Sequence, residues 1–395
     1  MRLAVQSHTL QGKRTGVSPA SCRICQREAR VFTLIRNGTV YDPTPRGERD
    51  ILIAFGRIAA IGQIDRAALA TLAPDCAIID AAGCSVTPGL IDPHAHLIGA
   101  GGEEGFGTRM PEVAAEQLIA AGATTVVGCL GTDTIMRHLT ALFGKTQELR
   151  AQGLTALMYT GGFWVPPPTI TGTVTGDLAL IEPVIGLGEI AITDTRSAEP
   201  PREALAQLVS ATITGGMLAG KAGVTHFHVG PGPSRLAILR ALIDEHEIPP
   251  RYVYPTHIGR SAELMDEAIA LANGGSFVDI DTVEEDLGRW LPYYLEHGGP
   301  PDRLTVSSDA HTPDGSPATW LGQIQGQLRA GRLPPETILG CVTANPAAAL
   351  ALGRKGRLEA GQDADVLVFD ADWELRHVVA GGRHLLRDGA IVKEA

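Results

Sequence analysis

The sequence has 395 residues, of which 44% are hydrophobic and 19% charged, a balance typical of a globular protein with a large core. Lys and Arg number 33 against 44 Asp and Glu, so the formal net charge is −11. This acidic balance argues against a nucleic-acid scaffold and against a polybasic membrane-binding surface, because both need clustered cations. No run reaches 18 consecutive apolar residues, so we expect no transmembrane helix and no membrane partner.

The first 30 residues are basic and contain the pair Cys22 and Cys25. No apolar run long enough for a signal peptide follows the first basic residue. We interpret residues 1–30 as a disordered tail or the product of an over-early start codon, with a targeting segment as the open alternative. The Cys-x-x-Cys spacing stands without a second pair, so we interpret it as a chance pair. Six scattered cysteines are typical of reduced thiols, which predicts a cytoplasmic protein.

Short β-strands are predicted at both chain ends, separated by Gly, Pro and an Asn-Gly pair that is a strong hairpin signal. Neither end alone buries much apolar surface. We therefore predict that residues 31–86 and 356–395 pack together as one small β-sandwich domain. The predicted strands are 31–35, 39–41, 50–54 and 57–61 at the first end, and 365–369, 377–379 and 384–386 at the second.

Between these ends, apolar β-branched runs alternate with segments of helical periodicity. Alternation of this kind implies parallel strands with right-handed crossovers, and eight units in about 250 residues imply a (β/α)8 TIM barrel. We predict this α/β barrel over residues 87–355. The strands are 85–96, 123–132, 154–162, 185–194, 224–230, 251–259, 276–281 and 304–310, with intervening helices such as 111–121, 135–152, 202–214, 235–246 and 262–273.

Histidine and aspartate residues stand at the ends of four of these strands. His94 and His96 alternate at the end of the first, so their imidazoles share a face. His228, His257 and Asp309 occupy the ends of strands five, six and eight. The carboxyl ends of barrel strands meet at one mouth, and unpaired buried polar groups are costly. Imidazole nitrogens and carboxylate oxygens suit zinc, so the pattern predicts a metal site.

The segment 87–96, followed in order by His228, His257 and Asp309, resembles the amidohydrolase superfamily. Within it, the chain is similar to isoaspartyl (β-aspartyl) dipeptidases. This second resemblance depends on the segments 96–103, 130–133, 169–172, 194–197, 227–230 and 255–260. It covers residues 31–395, and it implies the same barrel with a two-part sandwich domain.

The resemblance implies two divalent metal ions, for which these ligands fit Zn²⁺ best. His94 and His96 would bind the more buried ion together with Asp309. His228 and His257 would bind the second. A metal-bound hydroxide would attack the amide carbonyl, and Asp309 would take the proton and pass it to the leaving amine.

A carboxylate bridges the two ions in the family, usually that of a carbamylated lysine at the end of strand four. Glu189 stands at this position, give or take one residue. A glutamate keeps the single negative charge but is shorter by three bonds, so its strand must approach more closely. Gly186 and Gly188 would permit this approach. The open alternative is a mononuclear site beside a solvent-facing or helix-capping glutamate.

The resemblance also implies a small zwitterionic amide or dipeptide as the substrate, and a homo-oligomer. Glu103 matches the partner of the substrate α-ammonium, with Glu104 as the open alternative. Arg196 and Arg260 match cations that hold the substrate carboxylates, since a guanidinium binds a carboxylate bidentately. Backbone or hydroxyl contacts would come from Gly101 and Thr132.

Some residues depart from the family pattern or have no clear place in it. The family has a carbonyl-polarising tyrosine after strand three, whereas this chain has Phe163, with Tyr159 and Trp164 nearby. His226 lies deeper in strand five and is predicted to be a core or supporting histidine. His311 is a possible extra acid–base group, because the serine-containing segment of the family is not recognisable after the eighth strand.

The leading prediction is a metal-dependent hydrolase that cleaves the isopeptide bond of β-aspartyl dipeptides. The alternative keeps the binuclear site but changes the reaction to hydrolysis of another cyclic or linear amide, or to deamination of a heterocycle. A third possibility, a barrel that has lost catalysis and acts by assembly, is disfavoured because all five metal-ligand positions are intact.

Overall fold

The structure is a computed structural model that describes residues 31–283, 286–311 and 315–392. The predicted tail of residues 1–30, with its Cys-x-x-Cys pair, lies outside the described residues, as do residues 312–314 after the eighth predicted strand. The described chain is a mixed α/β protein. Its strands are β1 (Phe32–Asp42), β2 (Thr44–Ala54), β3 (Arg57–Gly62), β4 (Ala77–Asp80), β5 (Ser85–Pro88), β6 (Leu90–Ala95), β7 (Ala123–Gly128), β8 (Thr155–Thr160), β9 (Val184–Ile192), β10 (Val224–Val229), β11 (Val253–Thr256), β12 (Val278–Asp281), β13 (Leu304–Ser307), β14 (Val366–Phe369), β15 (Leu375–Ala380), β16 (Arg383–Arg387) and β17 (Ala390–Ile391).

Both chain ends contribute strands to one nine-stranded sheet. Its order is β17-β16-β15-β14-β5-β1-β2-β3, with β4 paired to β1. Buried aliphatic side chains from both ends, including Ile51, Val86, Val366 and Val379, form its core. The two ends therefore pack together, as predicted. The two-layer sandwich, and the domain limits at residues 31–86, 87–355 and 356–395, stay predictions.

The predicted hairpin turn at Asn37 and Gly38 is wrong. Strand β1 continues through both residues, and its pairing with β2 shifts register there. Asn37 has a φ of 61°, and its N–H donates to Oδ1 of Asp50 at 3.0 Å. This geometry is a bulge within a strand, and the chain instead reverses at Pro43, between β1 and β2.

Eight strands, β6 to β13, follow in chain order within the predicted barrel region. Strands β6 to β11 form a parallel sheet, and β12 pairs with β13. After β13 the chain returns to β6, because the N–H of Asp309 donates to the carbonyl of His94 at 3.0 Å and Ala310 bridges to Ala95. These contacts are consistent with the predicted (β/α)8 barrel.

The first predicted barrel strand is divided in two. Ser85–Pro88 is β5, which pairs with β14 in the end sheet, and only the part from Leu90 belongs with β7. Gly89 lies at the change of sheet, where a Cβ atom would stand 2.1 Å from Oγ1 of Thr124. The sequence pattern does not reveal this change of sheet, because the strands on both sides of Gly89 are buried.

Helices connect the strands and cover the parallel sheet. Helix 262–273 has the predicted limits, whereas the helices predicted at 111–121 and 135–152 begin only at residues 115 and 139, after irregular loops. No helix among the described residues is long and apolar enough to span a bilayer. The helices are α1 (Arg66–Leu72), α2 (Ala115–Ala120), α3 (Leu139–Ala151), α4 (Val174–Leu180), α5 (Arg202–Ala219), α6 (Ala237–His246), α7 (Ala262–Asn273), α8 (Leu287–Glu296), α9 (Pro317–Ala330), α10 (Pro335–Val342) and α11 (Ala344–Ala349).

Strand β9 lies unusually close to β10. All nine residues of β9 are buried, and a Cβ atom on Gly186 would stand 2.4 Å from the carbonyl oxygen of Val224. A Cβ atom on Gly188 would stand 2.8 Å from Cβ of His226. The close approach that a short bridging side chain needs is therefore present and depends on glycine.

We expect Gly186→Ala to lower the free energy of unfolding by about 1–3 kcal/mol, because the new methyl group would overlap backbone that cannot move aside. Gly144→Ala in helix α3 is the matched control, since no atom lies within 4 Å of its Cβ position. It should be neutral or stabilising by up to about 1 kcal/mol. Urea unfolding measures both, and equal effects would contradict the close packing of β9 and β10.

Candidate metal centre

Six buried side chains converge where the parallel strands end. None is more than 6% exposed, although every one carries a titratable group. They are His94 and His96 from the end of β6, Glu189 from β9, His228 from β10, His257 after β11 and Asp309 after β13.

The two carboxylate oxygens of Glu189 face two different pairs of imidazoles. Oε2 lies 3.5 Å from Nε2 of His94 and 3.6 Å from Nε2 of His96. Oε1 lies 2.6 Å from Nδ1 of His228 and 3.5 Å from Nε2 of His257. Glu189 is therefore central to the cluster, as a bridging ligand would be.

Asp309 lies beside the first pair of imidazoles, those of His94 and His96. Its Oδ1 lies 3.3 Å from Nε2 of His94 and 3.1 Å from Nε2 of His96. Ligand atoms on a tetrahedron around zinc, at bond lengths of about 2.0–2.1 Å, lie roughly 3.3–3.4 Å apart. The spacings of 3.1–3.6 Å around His94 and His96 match this edge length.

Several atoms of this group have no hydrogen-bond partner among the described residues. They include both ring nitrogens of His94 and Oδ1 of Asp309. Buried polar atoms are normally paired, because leaving one unpaired costs about 1–3 kcal/mol. Of these atoms, Nε2 of His94 and Oδ1 of Asp309 lie 3.3 Å apart, a spacing that fits two ligand atoms of one divalent cation.

A bulge in β9 directs Glu189 into the cluster. Leu187 pairs with Thr225 and Ile190 pairs with Phe227, so Gly188 and Glu189 together oppose one residue of β10. Such a bulge redirects side chains, and it lets the carboxylate reach the space between the imidazole pairs. Strand β9 therefore accommodates one more residue than β10 at the site itself.

Two carboxylates that sequence reasoning did not assign contact histidines of the cluster. Oδ2 of Asp281, at the end of β12, lies 2.7 Å from Nδ1 of His257. Oδ2 of Asp194 lies 3.2 Å from Nε2 of His228. Each contact favours the tautomer that leaves the other ring nitrogen free for a metal. An acidic residue at the end of the seventh strand was the available signal for Asp281.

A third carboxylate, that of Asp92, joins the first and eighth strands beneath the ligands. The hydroxyl of Ser308 donates to Oδ2 at 2.6 Å, and the backbone amides of Ser308 and His94 donate to Oδ1. Burial raises the pKa of this carboxyl to about 6 despite these donors. Asp92 thereby fixes the positions of the neighbouring residues His94 and Asp309.

The side chains of the cluster shift one another's pKa values. Burial disfavours a charge on Glu189, but the adjacent imidazoles, His228 first, hold the pKa of its carboxyl well below the usual value. Burial also opposes ionisation of Asp309, yet neighbouring histidines lower the pKa of that carboxyl. For His257, burial acts to lower the pKa, but the Asp281 carboxylate raises it to about 10.

A cavity opens above these six side chains. Glu103, Thr132, Arg196 and Arg260 line it. Gly101 does not line it but lies in an adjoining groove, and Glu104 lines neither space. Four of the five residues predicted to bind substrate therefore face the space above the ligands.

Opposite charges face each other across this cavity. Nη1 of Arg196 lies 4.0 Å from Oε1 of Glu103, which also accepts a hydrogen bond from Oγ1 of Thr132 at 3.3 Å. Nε and Nη2 of Arg196 donate to the two oxygens of Asp194 at 3.0 and 2.8 Å. A bidentate ion pair of this kind holds the guanidinium in one orientation. Arg260 donates to the carbonyl of Val229.

The structure gives the three aromatic residues near strand three different surroundings. The Phe163 ring lines the cavity, 4.8 Å from the ring of His228 and 5.1 Å from the guanidinium of Arg196. Tyr159 is buried and donates to the carbonyl of Pro93, and the indole N–H of Trp164 donates to the carbonyl of Thr132. Neither tyrosine nor tryptophan presents a donor to the cavity.

The remaining histidines differ in position. His226 is buried beneath the ligands, with its ring 4.7 Å from that of His94 and stacked on Tyr159. His311 lines the cavity, and its Nδ1 donates to the carbonyl of Asp309 at 2.6 Å. A thiol that the sequence did not single out, Cys129, lies 3.6 Å from Nδ1 of His96.

Comparisons with known proteins agree with this geometry. The amidohydrolase family matches at residues 77–133 and again at residues 302–391. A β-aspartyl dipeptidase from Fervidobacterium islandicum AW-1 is 37% identical, and the similarity covers 92% of this chain and 99% of that enzyme with a TM-score of 0.87. The same enzyme has been solved in complex with the dipeptide β-Asp-Leu.

The chain belongs to the amidohydrolase family and is isoaspartyl dipeptidase-like. The predicted superfamily and the predicted class of metal-dependent hydrolase are therefore confirmed.

More distant relatives share parts of the chain or the fold. A dihydroorotase from Syntrophotalea carbinolica is 33% identical over 164 residues, which are 41% of this chain and 35% of that enzyme. The chain thus matches about a third of the length of this curated relative. The structure of a D-hydantoinase is 19% identical, with a TM-score of 0.63 over 92% of this chain and 96% of that one, which shows a common fold.

We expect Asp281→Asn to weaken divalent metal binding by this amidohydrolase about 10- to 100-fold, because the His257 ring loses its orienting carboxylate. Asp266→Asn is the matched control, since Asp266 accepts a hydrogen bond from Tyr293 in an exposed position. Competition with a chromophoric chelator measures both affinities. Equal metal affinities in the two variants would show that the Asp281 contact does not support the ligand.

Metal binding should release protons. His257 has a pKa of about 10 without metal and is protonated at pH 7, yet a metal needs its unprotonated Nε2. We expect release of about one proton at this residue, measured by titration calorimetry in buffers of different ionisation enthalpy. His257→Gln should release fewer protons, whereas the exposed His297→Gln should not differ from the parent protein.

The same shift sets the pH dependence of stability in the metal-free protein. The pKa of His257 is raised from 6.5 to about 10, so its stabilising contribution is complete below pH 6.5 and is lost as pH rises towards 10. Metal release without a change in bound protons at pH 7 would contradict both statements.

Proposed function

We propose that this amidohydrolase cleaves the isopeptide bond of β-aspartyl dipeptides. The observation that carries the proposal is the cavity in which Glu103 faces Arg196 directly above the six clustered ligands. A zwitterionic dipeptide offers an ammonium group and carboxylates that match these charges. Similarity to a β-aspartyl dipeptidase over nearly the whole of both chains supports the same reaction.

We further propose that the centre holds two divalent ions, with Zn²⁺ the best fit to its ligands. His94, His96 and Asp309 would hold one ion, and His228 and His257 the other. Glu189 would bridge them, since each of its oxygens faces one imidazole pair. When bound, such ions polarise the amide carbonyl and lower the pKa of water, which makes a nucleophile available at neutral pH.

Asp309 is the residue positioned to move the proton. Its Oδ1 faces the first imidazole pair, while Oδ2 lies 3.9 Å from Nε2 of His257 and 3.1 Å from Nδ1 of His311. The carboxylate therefore borders both groups of ligands and the cavity. A base in this position takes the proton of the attacking water and delivers it to the departing amine.

Recognition of the substrate would fall to side chains fixed by their neighbours. Glu103 would bind the α-ammonium group, and Thr132 would hold the Glu103 carboxylate through their 3.3 Å hydrogen bond. Arg196 and Arg260 would bind the carboxylates. Arg196 is held by Asp194 and by the Phe163 ring, so its orientation would be set before substrate enters. Gly101 would shape the loop that carries Glu103, because its φ is 69°.

Phe163 would orient groups by packing and would not polarise the carbonyl. Its ring touches both His228 and Arg196, and it carries no donor. Loss of one donor to the developing oxyanion typically costs about 10²- to 10³-fold in rate. We therefore expect a slower reaction than in a relative with tyrosine here, unless another cavity donor substitutes.

Hydrolysis of a cyclic amide is the second candidate function. Local identity of 33% with a dihydroorotase favours it, as does the presence of two arginines that could bind a carboxylated ring. Deamination of a heterocycle has less support, because Trp164 does not line the cavity. The cytoplasmic location and the homo-oligomeric state remain predictions.

The deciding experiment is to measure metal content per chain together with aspartate release from β-Asp-Leu. We expect about two metal ions per chain and rapid hydrolysis, with Glu189→Gln losing at least one ion and about 10³-fold or more in kcat. Glu182→Gln, which removes an exposed carboxylate paired with Arg150, is the matched control. It should keep the metal content and the activity of the parent protein.

The substrate panel separates the candidates. α-Asp-Leu, dihydroorotate and hydantoin are tested beside β-Asp-Leu at the same metal loading. Two metal ions with turnover of a cyclic amide alone would replace the dipeptidase proposal with the second candidate. A single metal ion that persists in Glu189→Gln would refute the bridging role.

A further inference from the structure

Residues 99–110 form a loop with a narrow neck and an exposed end, and this loop carries Glu103. The N–H of Met110 donates to the carbonyl of Ala100 at 2.8 Å, which closes the neck. A Cβ atom on Gly99 would stand 2.2 Å from the Met110 carbonyl oxygen, so the two arms are tightly apposed. Phe106, at the far end, is 80% exposed. The position of Glu103 therefore depends on what holds the neck.

Arg137 holds it. This guanidinium is outside the metal centre, and only 6% of the residue is exposed. Its Nε donates to the carbonyl of Ile98 at 3.2 Å, and its Nη2 donates to those of Ala100 and Met110 at 2.7 and 3.1 Å. Its Nη1 donates to Oδ2 of Asp133 at 3.0 Å. One side chain thus links both arms of the loop to the segment after β7.

Asp133 extends the link to a second cavity residue. Its Oδ1 accepts from the backbone amides of Ile135 and Met136 at 3.1 and 2.8 Å, which fixes the carboxylate. Thr132, the preceding residue, donates from Oγ1 to Glu103 at 3.3 Å. Glu103 and Thr132 therefore sit on two loops that Arg137 and Asp133 tie together.

Only arginine can make this set of contacts. A guanidinium has five N–H donors in a fixed planar fork. That of Arg137 donates four hydrogen bonds here, each to a different acceptor atom. A lysine has three donors on one nitrogen and cannot reach acceptors on both arms and on Asp133 at once. Without Arg137, the carbonyl groups of Ile98 and Met110 would lose this donor and that of Ala100 would keep only the Met110 N–H, which favours an altered loop over an unchanged one.

We propose that Arg137 is a positioning residue that fixes Glu103, and through it the selectivity of this enzyme for a substrate with a free α-ammonium group. The inference rests on the proposed dipeptidase function. Arg137 lies outside the cavity lining, so it acts through Glu103 and not by touching substrate.

The test compares β-Asp-Leu with N-succinyl-leucine, which is the same molecule without the α-amino group. In Arg137→Gln we expect KM for β-Asp-Leu to rise about 10- to 100-fold, because one charge-assisted contact is lost. The kcat should stay within about threefold of that of the parent protein. The kcat/KM for N-succinyl-leucine should stay within about threefold, because that substrate does not use Glu103. Arg137→Lys should resemble Arg137→Gln.

A double-mutant cycle and controls make the assignment specific. Glu103→Gln combined with Arg137→Gln should raise KM no further than Glu103→Gln alone, since both changes remove the same interaction. Arg150→Gln removes a partly exposed guanidinium that pairs with Glu182 away from the cavity, and it should leave both substrates unaffected. Metal content should equal that of the parent protein in every variant.

Two further measurements keep the test decisive. If Arg137→Gln does not fold, Asp133→Asn replaces it, because an amide oxygen still accepts from residues 135 and 136 but no longer carries a charge for Arg137. Hydrogen exchange of amides 99–110, in the metal-loaded protein, should be faster in either variant. Unchanged exchange, or an equal loss of activity on both substrates, would overturn the proposal. Faster exchange in a protein that never cleaves β-Asp-Leu would refute the dipeptidase function but leave the positioning role in place.

Discussion

The buried carboxylate of Glu189 is the group on which the rest of the site depends. An isolated charge in an apolar interior costs many kcal/mol, so it persists only where opposite charges or cations surround it. Here four imidazoles meet its two oxygens, one pair to each. The same surroundings that keep the pKa of Glu189 low would hold two divalent ions in place of the protons.

Strain and hydrogen bonds in the backbone bring the ligands to this carboxylate. His257 and Asp309 have φ angles of 63° and 43°, in the left-handed region that residues other than glycine rarely adopt. Each is held there by contacts formed elsewhere, His257 by Asp281 and Asp309 by its backbone bond to His94. The fold thus supplies the free energy that keeps two strained residues in position for chemistry.

The sequence predicts those features that follow from periodicity and strand ends. All eight parallel strands overlap their predicted limits, and His94, His96, His228, His257 and Asp309 meet because parallel strands end at one mouth. The sequence does not predict contacts that depend on tertiary distance. Neither the Asp281 carboxylate beside His257 nor the Arg137 link between two loops follows a local pattern.

Short sequence patterns gave wrong predictions where the same pattern is compatible with two different local structures. Asn37-Gly38 is a turn signal, but an asparagine with positive φ serves a strand bulge equally well. The run from Ser85 to His96 is buried from Val86 onward, because both sheets bury it, so no exposed break in its pattern reveals that it changes sheet at Gly89. Helix limits at 115 and 139 were missed because the preceding loops are held by hydrogen bonds from Arg137 and not by helical periodicity.

The choice of glutamate over carbamylated lysine has a structural cost and a chemical consequence. A shorter side chain reaches the ligands only because β9 bulges at Gly188 and because Gly186 allows β10 to approach. In exchange, the charge at this position needs no reaction with carbon dioxide, since a glutamate is ionised at neutral pH and the neighbouring imidazoles keep the pKa of Glu189 low despite its burial. The carboxylate is therefore in place once the chain has folded, and the glycines of β9 are necessary to its position among the four imidazoles.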